Sequence, residues 1–330
     1  MATRITLAVV CFPLALSLTP ADYARLDAGE PVVAVLPSEG RDIAIRAVTA
    51  TSADPARLIG WTRRIDELQK GPYLLASGRF STPPQPSDLA ALALDGEDLN
   101  DLRRCRPGKC GLKLSDEEIA HIRTAIAEGT EWRLAAQQTF REIVLARAER
   151  YLYEGHGMSA SYHDERKRAM LDAEFAALAS EVALSYPPLF PLTNYLSLYP
   201  AGATDGIESF LYWSKETLGA KPIVGITHVA MMSTWVNGSA ATIVAKKQVY
   251  ANHYILASLS FTGVGAPEGH RRQLVYLNHS RSDVLDGVFG GFIRRMIERR
   301  LRAEGPRALQ TLRTRLESAT APEGGTTWQP

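Results

Sequence analysis

Asn237-Gly238 stands between two segments rich in β-branched and aromatic residues, 221–232 ("KPIVGITHVAMM") and 241–265 ("ATIVAKKQVYANHYILASLSFTGVG"). An Asn-Gly pair accepts the positive φ of a two-residue hairpin turn, so it joins antiparallel neighbours. Residues 271–280, "RRQLVYLNHS", alternate again after a turn containing Gly and Pro. Leu285, Val288, Phe289, Phe292, Met296 and Leu301 then recur at helical spacing. Gly305-Pro306 is expected to interrupt that helix before Leu309, Leu312 and Leu316 resume it. Apolar residues occupy both parities of 223–232, so both faces of the sheet need covering, one by the final helix and the other by helices from elsewhere in the chain.

Those helices have an obvious source. From about 86 to 205 the pattern is helical: Ser115 and Glu118 form a capping box, Ile119, Ile122 and Ile126 share a face, and 131–153 and 170–184 continue the period. Ahead of that block, "RDIAIRAVTAT" alternates as a strand, "SADPARLIGWTRRIDELQK" is an amphipathic helix with a Pro in its first turn, and "PYLLASGRF" is extended. "DYARLDAGEPV" reads as a short helix ending at Gly29.

The N-terminus bears on the compartment. Arg4 precedes an apolar run from Ile5 to Leu18 and a small residue, Ala21, so residues 1–21 are expected to be a secretory signal peptide rather than a membrane span, which needs about 20 apolar residues. Cys11 lies inside that run and would leave with it. The remaining chain, 22–330, is expected to be exported to the periplasm or cell envelope. It balances 36 basic against 36 acidic residues once Arg4 is gone, which argues against nucleic acid as a partner. Cys105 and Cys110 flank Arg106-Pro107-Gly108-Lys109, the chemistry of a type II turn that brings its ends together. In an oxidising compartment the pair reads as a structural disulfide, with a redox pair and part of a metal site as the alternatives.

The order strand, helix, helical insertion, antiparallel strands and long final helix resembles the helix-grip fold of the START and birch-pollen-allergen (SRPBCC) superfamily. The matching stretches are "RDIAIRAVTATSADPARLIGWTRRI", 221–265 and "LVYLNHSRSDVLDGVFGGFIRRMIERRLRAEGPRALQTLRTRLE", about half of the chain after the leader. The "GRFSTPPQPSDL" and "CRPGKCGLKL" blocks also resemble those of an uncharacterised family of exported bacterial proteins. The START-like resemblance implies an α+β fold in which a curved antiparallel sheet (core 31–80 and 206–318) grips the C-terminal helix. It implies an apolar ligand between the two, and 86–205 departs from the family as a large insertion.

No H-E-x-x-H, G-x-S-x-G or P-loop motif is present, and "GVFGGF" (287–292) does not follow a strand in the dinucleotide register, so no cofactor or metal is expected. His156 and His163 fall in a segment expected to be a loop. If the sheet grips a ligand, inward-facing members of His228, Tyr250, His253, Tyr254, Tyr276 and His279 would supply the few polar contacts of an otherwise apolar pocket, with Phe289 and Phe292 contributed by the helix. The nine arginines from Arg281 to Arg315 offer either contact with an anionic membrane surface or a solvated face. A non-catalytic exported lipid- or hydrophobic-ligand-binding protein is the leading expectation. The alternatives are an enzyme of cyclase or hydrolase type on the same fold and a cell-envelope interaction module.

Overall fold

A computed structural model describes residues 18–129, 131–155, 161–164, 167–202, 205–217, 219–236, 238–267 and 269–318. The leader-like head to residue 17 with Cys11, together with His156 and Asn237, lies outside these residues. The described chain begins inside the expected leader boundary: Leu18 packs on the core, and Thr19 caps α1 (Pro20–Asp27) through a reciprocal box with Asp22.

β1 (Val32–Leu36) and β2 (Asp42–Ala50) form a hairpin, followed by α2 (Pro55–Arg63), α3 (Ile65–Leu68) and β3 (Leu74–Arg79). The helical block is α4 (Gly96–Arg104), α5 (Asp116–Glu128), α6 (Trp132–Glu154), α7 (Leu171–Ser185) and α8 (Phe190–Leu198). The expected capping box of Ser115 and Glu118 opens α5. A small hairpin, β4 (Ser161–Asp164) with β5 (Lys167–Met170), stands where a loop was expected, and His163 lies on its first strand. The meander follows: β6 (Ile207–Glu216), β7 (Ile223–Val236), β8 (Ser239–Ala251), β9 (Ile255–Gly265) and β10 (Gln273–Ser282). Val236 pairs with Ser239, as a hairpin between β7 and β8 requires. The run 241–265 divides into two strands at Asn252–Tyr254, where Tyr254 takes a φ of 58°.

Eight strands make one antiparallel sheet in the order β1-β2-β10-β9-β8-β7-β6-β3. Side chains alternate between its faces. Leu211, Trp213, Val224, Ile226, Ala230, Ala245, Leu259, Phe261 and Leu277 face the helical block, where α4–α6 cover one end and α1, α7 and α8 the other. Ala47, Phe210, Tyr212, Val229, Met231, Val244, Val264 and Leu274 face α2 and the final helix, α9 (Gly290–Glu317), which contributes Leu309 and Leu316.

The sheet curls around α9. Gly305 lies against Val33 and Ile45 of one edge, while Glu304 accepts a hydrogen bond from Tyr73, one residue before β3 at the opposite edge. The fold is therefore α+β, an open curved antiparallel sheet holding a long C-terminal helix, with further helices closing its other face.

Two expectations about that helix need correction. α9 starts at Gly290 rather than near 284, because Asp283–Leu285 make a tight 3-10 turn whose Leu285 carbonyl would lie 2.1 Å from any Cβ at Gly290. That close approach makes the glycines of "GVFGGF" a matter of backbone packing at the helix entrance. Gly305-Pro306 does not interrupt α9, which runs through both residues. Gly305 is there for space: a Cβ would sit 3.1 Å from Val33 Cγ1. Pro306 removes one amide donor, and the carbonyl it would have met belongs to Arg302, an exposed residue whose carbonyl water can satisfy.

Cys105 and Cys110 form the disulfide, closing a turn in which Arg106 and Lys109 exchange backbone hydrogen bonds and Gly108 takes the positive φ expected of it. Among the described residues no helix is long and apolar enough to cross a membrane.

Candidate functional site

The two faces of the sheet differ in how far they are closed. On the face toward the helical block, His228, Ala245, Lys247, Leu259, Phe261 and Leu277 are all buried. On the other, Thr227, Lys246, Gln248, Ser258, Tyr276, Asn278 and Ser280 keep partial contact with water although they lie on the same central strands. Register explains where this opening falls. One row across the sheet reads Ser280, Ser258, Gln248, Thr227 and Tyr212, and the next reads Asn278, Ser260, Lys246 and Val229. The rows beyond, with Val244, Met231, Val264 and Leu274, are sealed by α2 and the C-terminal half of α9. The first two rows lie toward the N-terminal half of α9, whose Arg294 reaches Ser38 and Gly40 in the β1–β2 turn. Ile293, Ile297 and Leu301 are the half-buried apolar side chains of the N-terminal half of α9, and we read them with the polar rows as the two walls of a cleft. These three share the helical line that continues to Gly305 and Leu309.

The floor pairs largely with itself. Asn278 donates to Ser258 Oγ at 3.0 Å and accepts from Ser280 Oγ at 3.2 Å. Tyr276 bonds Ser260, and Tyr212 accepts from Gln69 Nε2 at 2.8 Å and bonds Thr227. Burial pushes the Tyr276 phenol up to about 12 and raises Tyr212 as well, so both stay protonated donors at neutral pH. Lys246 is the exception. Its Nζ stands 5.8 Å over the Tyr212 ring, and among the described residues it makes no hydrogen bond or ion pair. Burial lowers it to about 8, opposed by the charge of Glu216, a carboxylate that itself accepts from Ser214 Oγ at 2.7 Å.

The expected site residues do not converge. Of the eight, Tyr276 alone lies on the α9 face among the central strands, in the sealed row of Thr262, Val244 and Met231, from which its hydroxyl reaches Ser260 in the next row. Phe289 and Phe292 are 74% and 62% exposed at the start of α9, on its outer side with Met296. Tyr250 is sealed under the Arg147 guanidinium, 4.2 Å from its ring, and Arg147 is in turn held by Glu118. His279 packs edge-on against Tyr186 on the helical-block face, and burial lowers its pKa against the pull of Asp42. Tyr254 shapes the β8–β9 turn, its hydroxyl accepting from the Lys221 amide at 3.0 Å.

His228 and His253 sit in two separate buried networks on the helical-block side. His228 Nδ1 meets Tyr151 OH at 2.8 Å, among Tyr195 and Tyr199, and burial followed by the charge of Lys247 lowers it to about 3. Lys247 donates to the Leu196 carbonyl at 3.1 Å and lies 4.2 Å over the Phe175 ring, and burial lowers it too to about 8. The void beside it, lined by Tyr151, Phe175 and Leu256, is about the size of one water molecule. His253 Nε2 lies 3.0 Å from Asp98 Oδ1, and Asn252 donates to the other oxygen at 3.2 Å. Both His253 and Asp98 are buried, and Asn252 also binds the Val224 amide and accepts from the Lys113 amide. This network ties the β8–β9 turn to α4 and to the segment after the disulfide.

Sequence reasoning passed over Lys246. The available signal was the pair Lys246-Lys247 in the middle of "ATIVAKKQVYA": two consecutive charges in a strand apolar on both parities must each enter one covered face. The expectation of an otherwise apolar pocket also needs amending, since the apolar surface belongs to the helix and the sheet contributes serines, amides, tyrosines and one lysine.

Among the described residues no group of three or more His, Cys, Asp or Glu side chains is placed to hold a metal ion. The fold and the cleft define a class: an antiparallel sheet that grips a C-terminal helix and leaves an amphipathic cleft beneath it. Comparison with protein-family models, with curated proteins and with solved structures finds no match.

Proposed function

We propose that the chain is an exported, non-catalytic protein that holds an amphiphilic or apolar small molecule in the cleft between the sheet and α9, and exchanges it at a membrane surface. One observation carries the reading: on the α9 face the polar Thr227, Lys246, Gln248, Ser258, Asn278 and Ser280 of the central strands stay half-buried, while His228, Ala245, Lys247, Leu259 and Leu277 on the helical-block face are buried. Pockets of this kind serve ligands, because an unfilled face between packed layers forfeits burial that folding would otherwise use. The START-like resemblance places a ligand in the same position. The signal-like head and the Cys105–Cys110 disulfide support export to an oxidising compartment.

Membrane contact draws on Val288, Phe289, Phe292 and Met296, all exposed, with the exposed Arg295 and Arg299 between them. An apolar stripe bordered by arginines suits the interface of an anionic bilayer. The enzymatic alternative would need a titratable pair that a substrate can reach, and His253–Asp98 is buried on the opposite side of the sheet.

The test is native mass spectrometry of the full chain recovered from an exporting host, with organic extraction of whatever it carries and titration with a fluorescent long-chain probe. A stoichiometric amphiphile, or saturable uptake of the probe, is expected. A chain that carries nothing and takes up no probe contradicts the reading.

A further inference from the structure

The cleft's polarity is uneven in a way that specifies the ligand. Its floor hydroxyls and amides are mutually hydrogen-bonded: Ser280 to Asn278, Asn278 to Ser258, and Tyr276 to Ser260. Lys246 faces Ser260 across the β8–β9 pair and Val229 across the β7–β8 pair, so its side chain rises from the middle of the floor. It is surrounded by protein, keeps some contact with water, and meets no carboxylate within ion-pairing distance among the described residues. A desolvated ammonium without a counter-ion is unfavourable, and an anion delivered from outside relieves that cost. Glu216, whose charge reaches Lys246, makes no ion pair with it and accepts from Ser214 Oγ at 2.7 Å. From Gly305, which packs on Ile45 in the Lys246 row, α9 runs back toward its start through the half-buried aliphatic Leu301, Ile297 and Ile293.

Resting on the proposal that the cleft holds an amphiphile, we infer that its ligand is a single-chain amphiphile with an anionic head, the head seated on Lys246 and the chain lying along α9. The positive charge discriminates carboxylates from neutral heads of the same chain length. The tail contacts are common to both.

The experiment compares palmitate with hexadecanol, each displacing a fluorescent C16–C18 probe from the full-length protein at pH 7. Wild type is expected to favour palmitate by about tenfold or more, the size of one charge-assisted contact. Lys246→Met should abolish that preference while leaving hexadecanol affinity within about twofold, and Lys246→Arg should retain it. Circular dichroism of each variant establishes that the fold persists. Equal affinity for acid and alcohol in wild type, or a preference that survives Lys246→Met, overturns the assignment of the head while leaving the amphiphile cleft standing. Failure of both molecules to displace the probe, or of the probe to bind at all, removes the cleft proposal itself and the head assignment with it.

Discussion

Lys246 and Lys247 are neighbours in sequence and strangers in space, since alternation along β8 sends one into the cleft and the other into the helical block. Burial holds each at about 8, against the 10.5 of a free lysine. Between those values the unfolded chain binds more protons than the folded one, so stability rises as pH climbs from about 8 toward 10.5. His228 gives the same sign in acid. Held at about 3 rather than 6.5, it must stay neutral in the fold, and stability falls as pH drops from 6.5 toward 3. Its share is about 5 kcal/mol, at about 1.4 kcal/mol per pH unit. Urea denaturation between pH 3.5 and 7 should show a slope that a His228→Asn variant lacks over that range. An identical slope in the variant would mean that His228 is not the buried titrating group.

At the scale of elements, two glycines of α9 carry its placement. Gly290→Ala puts a Cβ into the Leu285 carbonyl, so the turn before the helix must shift; a loss of about 2 kcal/mol or more is expected by thermal or chemical denaturation. The exposed stripe makes a separate prediction. Replacing Phe289 and Phe292 together with Asp should reduce co-sedimentation with phosphatidylglycerol vesicles at least fivefold and leave the melting temperature within about 2 °C, because both side chains are exposed. Undiminished sedimentation would rule out this stripe as the membrane contact. Much of the elements' order was legible beforehand, because β2, α2, β3, β7–β10 and α5–α7 rest on local periodicity and capping. The continuity of α9 through Pro306 was not, since it depends on Gly305 fitting against Val33, a contact far away in sequence. β1 and β6 also went unread, the first being five residues long and the second mixing Glu208, Ser209, Ser214 and Lys215 into its faces.

For the molecule as a whole, apolar clusters lie on both sides of one sheet, and the side toward the helical block is the more completely closed. The histidines that chemistry alone singled out belong to that closed side, where they tie strands to helices. Which face a strand residue takes follows from register over hundreds of residues, so the sequence made Tyr276 and His279 equally eligible although they point oppositely. The disulfide pins the closed side. Cys105→Ser with Cys110→Ser should cost about 2 kcal/mol of stability, the loop-closure value for so short a ring, without altering probe binding in the cleft. The occupancy of that cleft is tested most directly by photo-crosslinking with a diazirine-bearing palmitate analogue and mapping the adducts by peptide mass spectrometry. Adducts on the α9 peptide containing Ile293, Ile297 and Leu301 and on the β8 peptide containing Lys246, competed away by unlabelled palmitate, are the predicted result. Adducts confined to the exposed Phe289–Met296 surface, or found on α7 and α8 instead, would contradict it.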